Sequence, residues 1–263
     1  MVFHDAEPFA GTRLVDRFRR AAQVRAMRRA AAAAELAVFP VPPERLSWVG
    51  ASLWNAVFLP VGPNLGGELP QDHTSLHAPP AVAVYGITGG AAGERETRDI
   101  VAALRFAAGK LGPLRLLVFG RHAELRKTAL EEGLRDLPVE VEVRGLLAQE
   151  QLADCFWRSD LLLFVRGPIS SRRGSALAGV ACGLPVVALE GSETAPPVTD
   201  AGVLLLRGRA GEALGEQLGE GVVRIFSDQE LRGQLIERSR RAYGESFSWE
   251  AIARRYADRL RPL

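Results

Sequence analysis

Lysine is almost missing from this sequence. Of its 33 basic residues only Lys110 and Lys127 are lysine, so any phosphate chemistry falls to arginine forks and backbone amides. The pattern G-x-x-x-x-G-K-[ST] is absent, which excludes a P-loop nucleotidase. Cysteine is equally scarce. Cys155 and Cys182 are the only two, both in apolar helical stretches where a buried free thiol is the default, so neither a disulfide framework nor a zinc knuckle is available. No apolar run approaches the roughly 18–20 residues of a membrane span, and no charged-then-apolar leader opens the sequence. The simplest address is the cytoplasm, with the inner face of the membrane as its extension. A formal charge of +2 is too small to argue for nucleic acid as a partner.

The 263 residues are 47% apolar and 24% charged, ordinary for a globular chain able to bury a sizeable core. From Ala81 onward short apolar runs read as strands: Ala81–Gly86, Leu114–Gly120, Val139–Arg144, Asp160–Val165, Pro185–Leu189 and Gly202–Leu206. Helical stretches lie between them near Glu96–Lys110, Ala123–Glu132, Gln149–Arg158 and Gly174–Cys182, and two more follow at Asp228–Tyr243 and Trp249–Leu260. Strands without strict alternation, separated by helices, mean a parallel sheet covered on both faces. The charged pattern of Val139–Arg144 suits an edge strand, and Ser248 suits the N-cap of the last helix. The expected fold class is therefore α/β, with a doubly wound domain over residues 81–245 and a closing helix in 246–263.

Residues 1–62 hold less: a strand end at Val2–His4, a long helix over Thr12–Glu35, and strands at Leu36–Phe39 and Asn55–Val61. Three strands and one helix do not close an ordinary α/β core. The expectation is a partial N-terminal domain whose opening βα units lie outside the sequence given. Residues 63–80, rich in Gly and Pro, read as a linker.

Ligands of an open parallel sheet bind at the carboxyl ends of its strands. The first such end, Gly86-Ile87-Thr88-Gly89-Gly90-Ala91-Ala92-Gly93, brings backbone near a helix N-terminus that favours phosphate. Its glycine spacing does not meet G-x-G-x-x-G, which weakens an NAD-dependent oxidoreductase; a plain strand-to-helix turn is the competing reading. The fourth strand end is richer. Ser170, Ser171, Arg172, Arg173, Gly174 and Ser175 combine hydroxyls, guanidinium forks and amides at a helix start, a set suited to a diphosphate. Solvated arginines capping a helix are the alternative, although arginine disfavours a helix N-terminus.

Here a resemblance becomes specific. Ala181-Cys182-Gly183-Leu184-Pro185-Val186-Val187 resembles the A-C-G-L-P-V-V signature of the retaining glycosyltransferases of family 4, which have the GT-B fold. Gly145-Leu146-Leu147 followed by Leu152-Ala153 and Arg158-Ser159-Asp160-Leu161 is similar to a second run of that family. Phe247-Ser248-Trp249 resembles its F-S-W, ahead of a helix that crosses back to the first domain, and Pro60-Val61-Gly62-Pro63-Asn64 its interdomain link. The resemblance implies transfer of a sugar from a nucleotide-sugar donor to a saccharide or lipid-linked acceptor, with retention at the anomeric carbon, in polysaccharide or glycoconjugate assembly. The absence of an Asp-x-Asp pair agrees with a site that needs no metal, and no cofactor is implied. By position, Gly89 and Gly90 face the diphosphate, Leu146 and Leu147 meet the nucleobase through their backbone, and Ser170 to Ala178 surround the donor sugar and phosphates, with Gly174 and Ser175 among them.

The departures are as informative. Where the family carries two glutamates eight positions apart, this sequence has Ser170 and Ala178; where it carries an arginine and a lysine after the first strand of this domain, neither stands near Ile87 or Ala92. Either Arg172 and Arg173 replace the missing cations, or the chain is a non-catalytic nucleotide-sugar-binding or partner module. His4, beside Asp5 at a strand end, is a candidate to bind or deprotonate an acceptor hydroxyl. Glu193, after the fifth strand, is a candidate contact for the donor sugar or a plain loop carboxylate. His73 and His77 lack a third ligand and are assigned no metal; His122, at a helix start, reads as a cap or a solvated side chain. The helix Thr12–Arg29 carries seven arginines against Asp16 alone. Its two readings are a solvated face and a peripheral contact with an anionic membrane surface.

Overall fold

The computed structural model describes residues 1–8, 11, 13–49, 53–65, 75–208 and 213–260. The six apolar runs become one parallel sheet: β3 (Ala81–Tyr85), β4 (Leu114–Phe119), β5 (Val139–Val143), β6 (Leu161–Leu163), β7 (Val186–Leu189) and β8 (Val203–Leu206). Their spatial order is β5-β4-β3-β6-β7-β8, with every neighbouring pair parallel. Successive side chains point to opposite faces of a strand. Val82, Val84, Leu116 and Val118 therefore enter one core, while Ala81, Ala83, Leu117 and Phe119 enter the other. Both faces are buried, which explains why the inner strands are almost wholly apolar. β5 lies at the sheet edge, as its glutamates suggest.

Helices α2 (Gly90–Leu111) and α6 (Leu214–Ser227) cover the first face, and α5 (Gly174–Ala181) lies against the second. Between the strands stand α3 (Lys127–Leu134) and α4 (Gln149–Trp157), and α7 (Gln229–Ala242) and α8 (Trp249–Leu260) close the chain. Ser248 caps α8 by accepting from the Ala251 amide at 3.1 Å.

Some boundaries and one whole element differ from the expected ones. α2 begins six residues before Glu96, because the glycine-rich stretch forms its first turn; the Glu96 carboxylate accepts from the Thr88 amide at 2.7 Å. Helix α6 is not expected from the sequence at all. Its glycines weaken the helical signal, yet they permit close packing on α2. A Cβ at Gly219 would stand 2.7 Å from the Ala103 carbonyl oxygen. Tertiary packing overrides propensity here.

The N-terminal part consists of α1 (Leu14–Ala33) and the parallel pair β1 (Ala37–Phe39) and β2 (Ala56–Phe58); Val2 joins β1 through one parallel bridge. The strands are shorter than the apolar runs that announce them. A small core of Ala6, Ala31, Phe39, Val41, Leu46 and Trp48 holds this part together. Phe3 stacks on Phe39 with centroids 4.7 Å apart, and the Trp48 indole donates to the Ala6 carbonyl at 2.6 Å. Asn55 donates to the carbonyls of Ala31 and Ala34, satisfying acceptors that the end of α1 leaves open.

The two parts are tied by several contacts. The Ser171 hydroxyl donates to the Pro40 carbonyl at 2.6 Å, and the Ser171 carbonyl accepts from the Val61 amide at 3.1 Å. The Trp249 ring packs over Gly62, and Arg259 at the far end of α8 lines a cavity with Val57 and Phe58 of β2. The segment entering β3 is pinned by Asp160. Its buried carboxylate accepts from the Ala81 amide at 2.6 Å, from the His77 amide at 3.0 Å, and meets the His77 ring at 2.8 Å. His73, like much of the expected linker, lies outside the described residues. No described helix is long and apolar enough to cross a membrane.

Candidate functional site

Strand order reverses between β3 and β6, and a crevice opens there at the carboxyl ends of the strands, where open α/β sheets place ligands. A cavity of about 370 Å³ is lined by Tyr85 and Gly86 after β3, Gly120 and Arg121 after β4, and Leu146 and Leu147 after β5. A smaller one of about 170 Å³ is lined by Phe164, Arg172, Arg173 and Gly174. Asn64, Arg166 and Ser175 line both. The two cavities are therefore neighbours that share one wall.

The helix α5 supplies that wall. Arg173 is its N-cap residue, and Gly174 and Ser175 open its first turn. A Cβ at Gly174 would stand 2.8 Å from the Asn64 carboxamide oxygen; only a glycine lets the linker pass this close over the helix start.

The two adjacent arginines have different environments. Arg172 is forked onto Glu193, with Nε donating to Oε2 at 2.6 Å and a terminal nitrogen donating to Oε1 at 3.0 Å. Ser170, fully buried, adds a third donor to Glu193 at 3.2 Å. The charge of Arg172 is thus compensated within the protein. Arg173 has no carboxylate partner among the described residues, and its Nε is buried without a hydrogen bond. Burial first, and then the positive charge of Arg172, push its pKa below the ordinary arginine value; an arginine remains cationic all the same. The residue pair expected from the sequence is divided between these two states.

Leu147 is half-buried and Leu146 exposed, and both line the larger cavity. Gly89 caps α2 and Gly90 opens it, but neither lines the two cavities. Beside them the His122 ring packs over Gly89, 3.5 Å from where a Cβ would stand, and Arg126 donates to the Gly90 carbonyl at 2.9 Å. His122, expected as a cap, adopts a left-handed φ of 62° in that turn. His4 is exposed, two residues past the Val2–Val38 bridge as Pro40 is two past Val38, so it leaves the small sheet at the end that meets Ser171. It lines neither cavity. His77 serves Asp160, as described, and no group of three or more His, Cys, Asp or Glu that could hold a metal ion occurs among the described residues.

Arg166 is among the residues that sequence reasoning missed. It follows β6 in Val165-Arg166-Gly167-Pro168, and a charge directly at the carboxyl end of a central strand is the signal that marks it. Tyr85, Asn64 and Arg121 were likewise not assigned to the site from the sequence.

No family model matches the chain, and no curated protein matches it in sequence. Solved structures do. Sucrose-phosphate synthase from Thermosynechococcus elongatus matches with a TM-score of 0.63 at 21% identity, over 91% of this chain and 61% of that one. Alr3699/HepE from Anabaena, solved in complex with UDP and glucose, matches with a TM-score of 0.63 at 14% identity, over 91% and 66%. The C-terminal domain of LpcC, a glycosyl transferase group 1 family protein from Francisella tularensis, matches at 0.51 and 16% identity, over 70% of this chain and 96% of that domain. The fold is GT-B-like. At these identities the likeness is one of architecture, and this chain spans less than two thirds of the synthase or of HepE.

Proposed function

We propose that this chain is the donor-binding part of a glycosyltransferase that moves a sugar from a nucleoside diphosphate sugar to an acceptor hydroxyl, with retention at the anomeric carbon and without a metal ion. The observation that carries the reading is the pair of adjoining cavities at the sheet's switch point, one of about 370 Å³ with leucines and an aromatic ring in its lining, one of about 170 Å³ with arginines in its own. A nucleoside fits the first and a sugar the second, with the diphosphate at the shared wall. In the reaction, the bond from the anomeric carbon to the phosphate oxygen breaks and one to the acceptor oxygen forms. The acceptor hydroxyl passes its proton to the departing diphosphate, which also keeps the electron pair of the broken bond. Arg173 and the amides opening α5 face the charge that develops there.

The acceptor side of the reading rests on His4, at the facing end of the small sheet. It also rests on α1, whose far face exposes Leu14, Val15 and Phe18, the last 76% exposed. Arg17, Arg25 and Arg29 have no carboxylate partner among the described residues of this helix, whereas Arg20 pairs with Glu7. Apolar anchors among unpaired cations favour an anionic lipid surface, and with it a lipid-linked acceptor. Binding to anionic vesicles that weakens with salt and drops in Phe18→Glu supports this contact; binding indifferent to lipid charge and salt ends it. Thr12, the first residue of the expected contact, lies outside the described residues.

A second reading, a binding module without turnover, is favoured by Ser170 and Ala178, both fully buried where the resembling family carries glutamates. A panel of nucleoside diphosphate sugars in a thermal-shift assay tests the donor site, since a specific ligand stabilises the fold by mass action. Anomeric coupling in the product then tests transfer and retention, and binding with no product selects the second reading.

A further inference from the structure

We infer that Arg166 is the pivot of the diphosphate clamp, bridging the nucleoside cavity to the sugar cavity and acting together with Arg173. The inference rests on the donor reading above and names which residue of the site separates a nucleoside from its diphosphate.

Position is the first argument. Arg166 is the one cation lining both cavities, while Arg121 lines only the larger and Arg172 and Arg173 only the smaller. A ligand that lies across the shared wall therefore passes Arg166 whichever way round it is threaded. The guanidinium rests against Gly86, with a terminal nitrogen 3.5 Å from where a Cβ would stand. Gly86 takes a φ of 76°, a conformation that L side chains disfavour, so the turn after β3 that the arginine packs against requires glycine.

Charge is the second. Neither Arg166 nor Arg173 has a carboxylate partner among the described residues, and the Nε of each is buried without a hydrogen bond. The two are near enough for the charge of Arg166 to act on Arg173. Two like charges in a half-buried wall oppose each other, and the carboxylates of Glu193 and Glu96 offset only part of the positive charge and burial acting on Arg173. A dianion placed between them converts that repulsion into attraction and supplies acceptors for the unmatched N–H groups. Arg172, one residue away, lacks this property because Glu193 already neutralises it.

The third is chemical economy. No lysine is near: Lys110 lies at the C-terminal end of α2 and Lys127 opens α3, and neither lines the cavities. Among the described cations, the planar forks of Arg166 and Arg173 are the groups placed to hold two phosphates at the shared wall.

The test uses the full chain and measures UDP, GDP and ADP against their own nucleosides by isothermal titration calorimetry. Wild type binds one diphosphate more tightly than its nucleoside. In Arg166→Met, which keeps the side-chain volume and removes the charge, that ratio falls by about 10-fold or more, the size of a lost charge-assisted hydrogen bond. Nucleoside affinity stays within about 3-fold, because the base contacts are untouched. Arg166→Lys keeps the charge without the fork and lies between the two; it also serves if the methionine variant fails to fold. An unchanged ratio in Arg166→Met, or in Arg166→Lys should only that variant fold, overturns the role of Arg166 while leaving the donor reading intact. If wild type binds none of the three diphosphates, the donor reading itself falls and this inference goes with it.

Discussion

The ligand rim of the large sheet and its β5 edge treat arginine in opposite ways. At the edge, Arg158 is forked onto Glu142 at 2.7 and 3.2 Å, and Arg144 reaches the same carboxylate. At the rim, Arg166 and Arg173 point unmatched nitrogens into buried space. Arg172 shows that the rim has a carboxylate to offer, since Glu193 is there and is taken. The difference separates two jobs. A paired arginine belongs to the fold, and its removal leaves a carboxylate unsatisfied. An unpaired one burdens the fold, and under the proposed function the anion that matches it comes with the donor.

Removing a rim arginine is the strongest way to break this contrast. Arg173→Ala is expected to lower transfer by about 100- to 1000-fold, the usual cost of losing one donor aimed at developing negative charge. The same change should leave the melting temperature of the ligand-free protein equal or raised, because a desolvated cation next to Arg172 is gone. An unchanged rate removes Arg173 from the mechanism. A sharply lowered melting temperature shows instead that its role is structural.

Glu193→Gln should act the other way round, at smaller amplitude. The fork on Arg172 is only part-exposed on either side, 24% and 14%. Breaking it leaves a guanidinium and the Ser170 hydroxyl poorly matched, at a cost of about 1–3 kcal/mol in urea unfolding. The double variant Arg172→Ala/Glu193→Ala should be less damaging than the sum of its parts, since partners in one network are not additive. Strict additivity would separate the two residues and dissolve the paired class at the rim.

Much of this was legible in the sequence, and the illegible parts share a cause. Runs such as Leu114–Phe119 and Val186–Leu189 are apolar because both sheet faces are buried, so the strands follow from those runs, their parallel pairing from the helices between them, and the edge position of β5 from its charges. The stretch from Ser170 to Ser175 announces itself differently, by hydroxyls and guanidinium groups at a helix start, and the structure sets Arg172 to Ser175 against the smaller cavity. Helix α6 does not, because Gly219 carries information only about a neighbour, α2, that lies far away in the sequence. Nor does the division between Arg172 and Arg173. Identical side chains one residue apart differ only in what reaches them, and Glu193 stands 21 positions downstream. Arg166 escaped for a simpler reason: it is a single charge after a short strand, with no motif around it.

The edge offers the mildest and most diagnostic contrast. Hydrogen bonding from Arg158 is the main cause that holds the Glu142 carboxyl below the usual carboxylate range, with burial opposing and Arg144 assisting. A carboxylate whose folded pKa is depressed binds protons more readily in the unfolded chain. Its contribution is therefore complete above the unfolded value of about 4.3 and is lost as pH falls through the lower, folded one. Glu142→Gln should cost about 1 kcal/mol or less at neutral pH, since the pair is partly solvated, and the gap from wild type should close as both are acidified. Transfer should not change, because Glu142 lines neither cavity. A stability gap that persists undiminished in acid assigns the loss to packing rather than charge, and a lost activity moves the edge into the site. Either result erases the line between arginines that serve the fold and arginines that wait for a ligand.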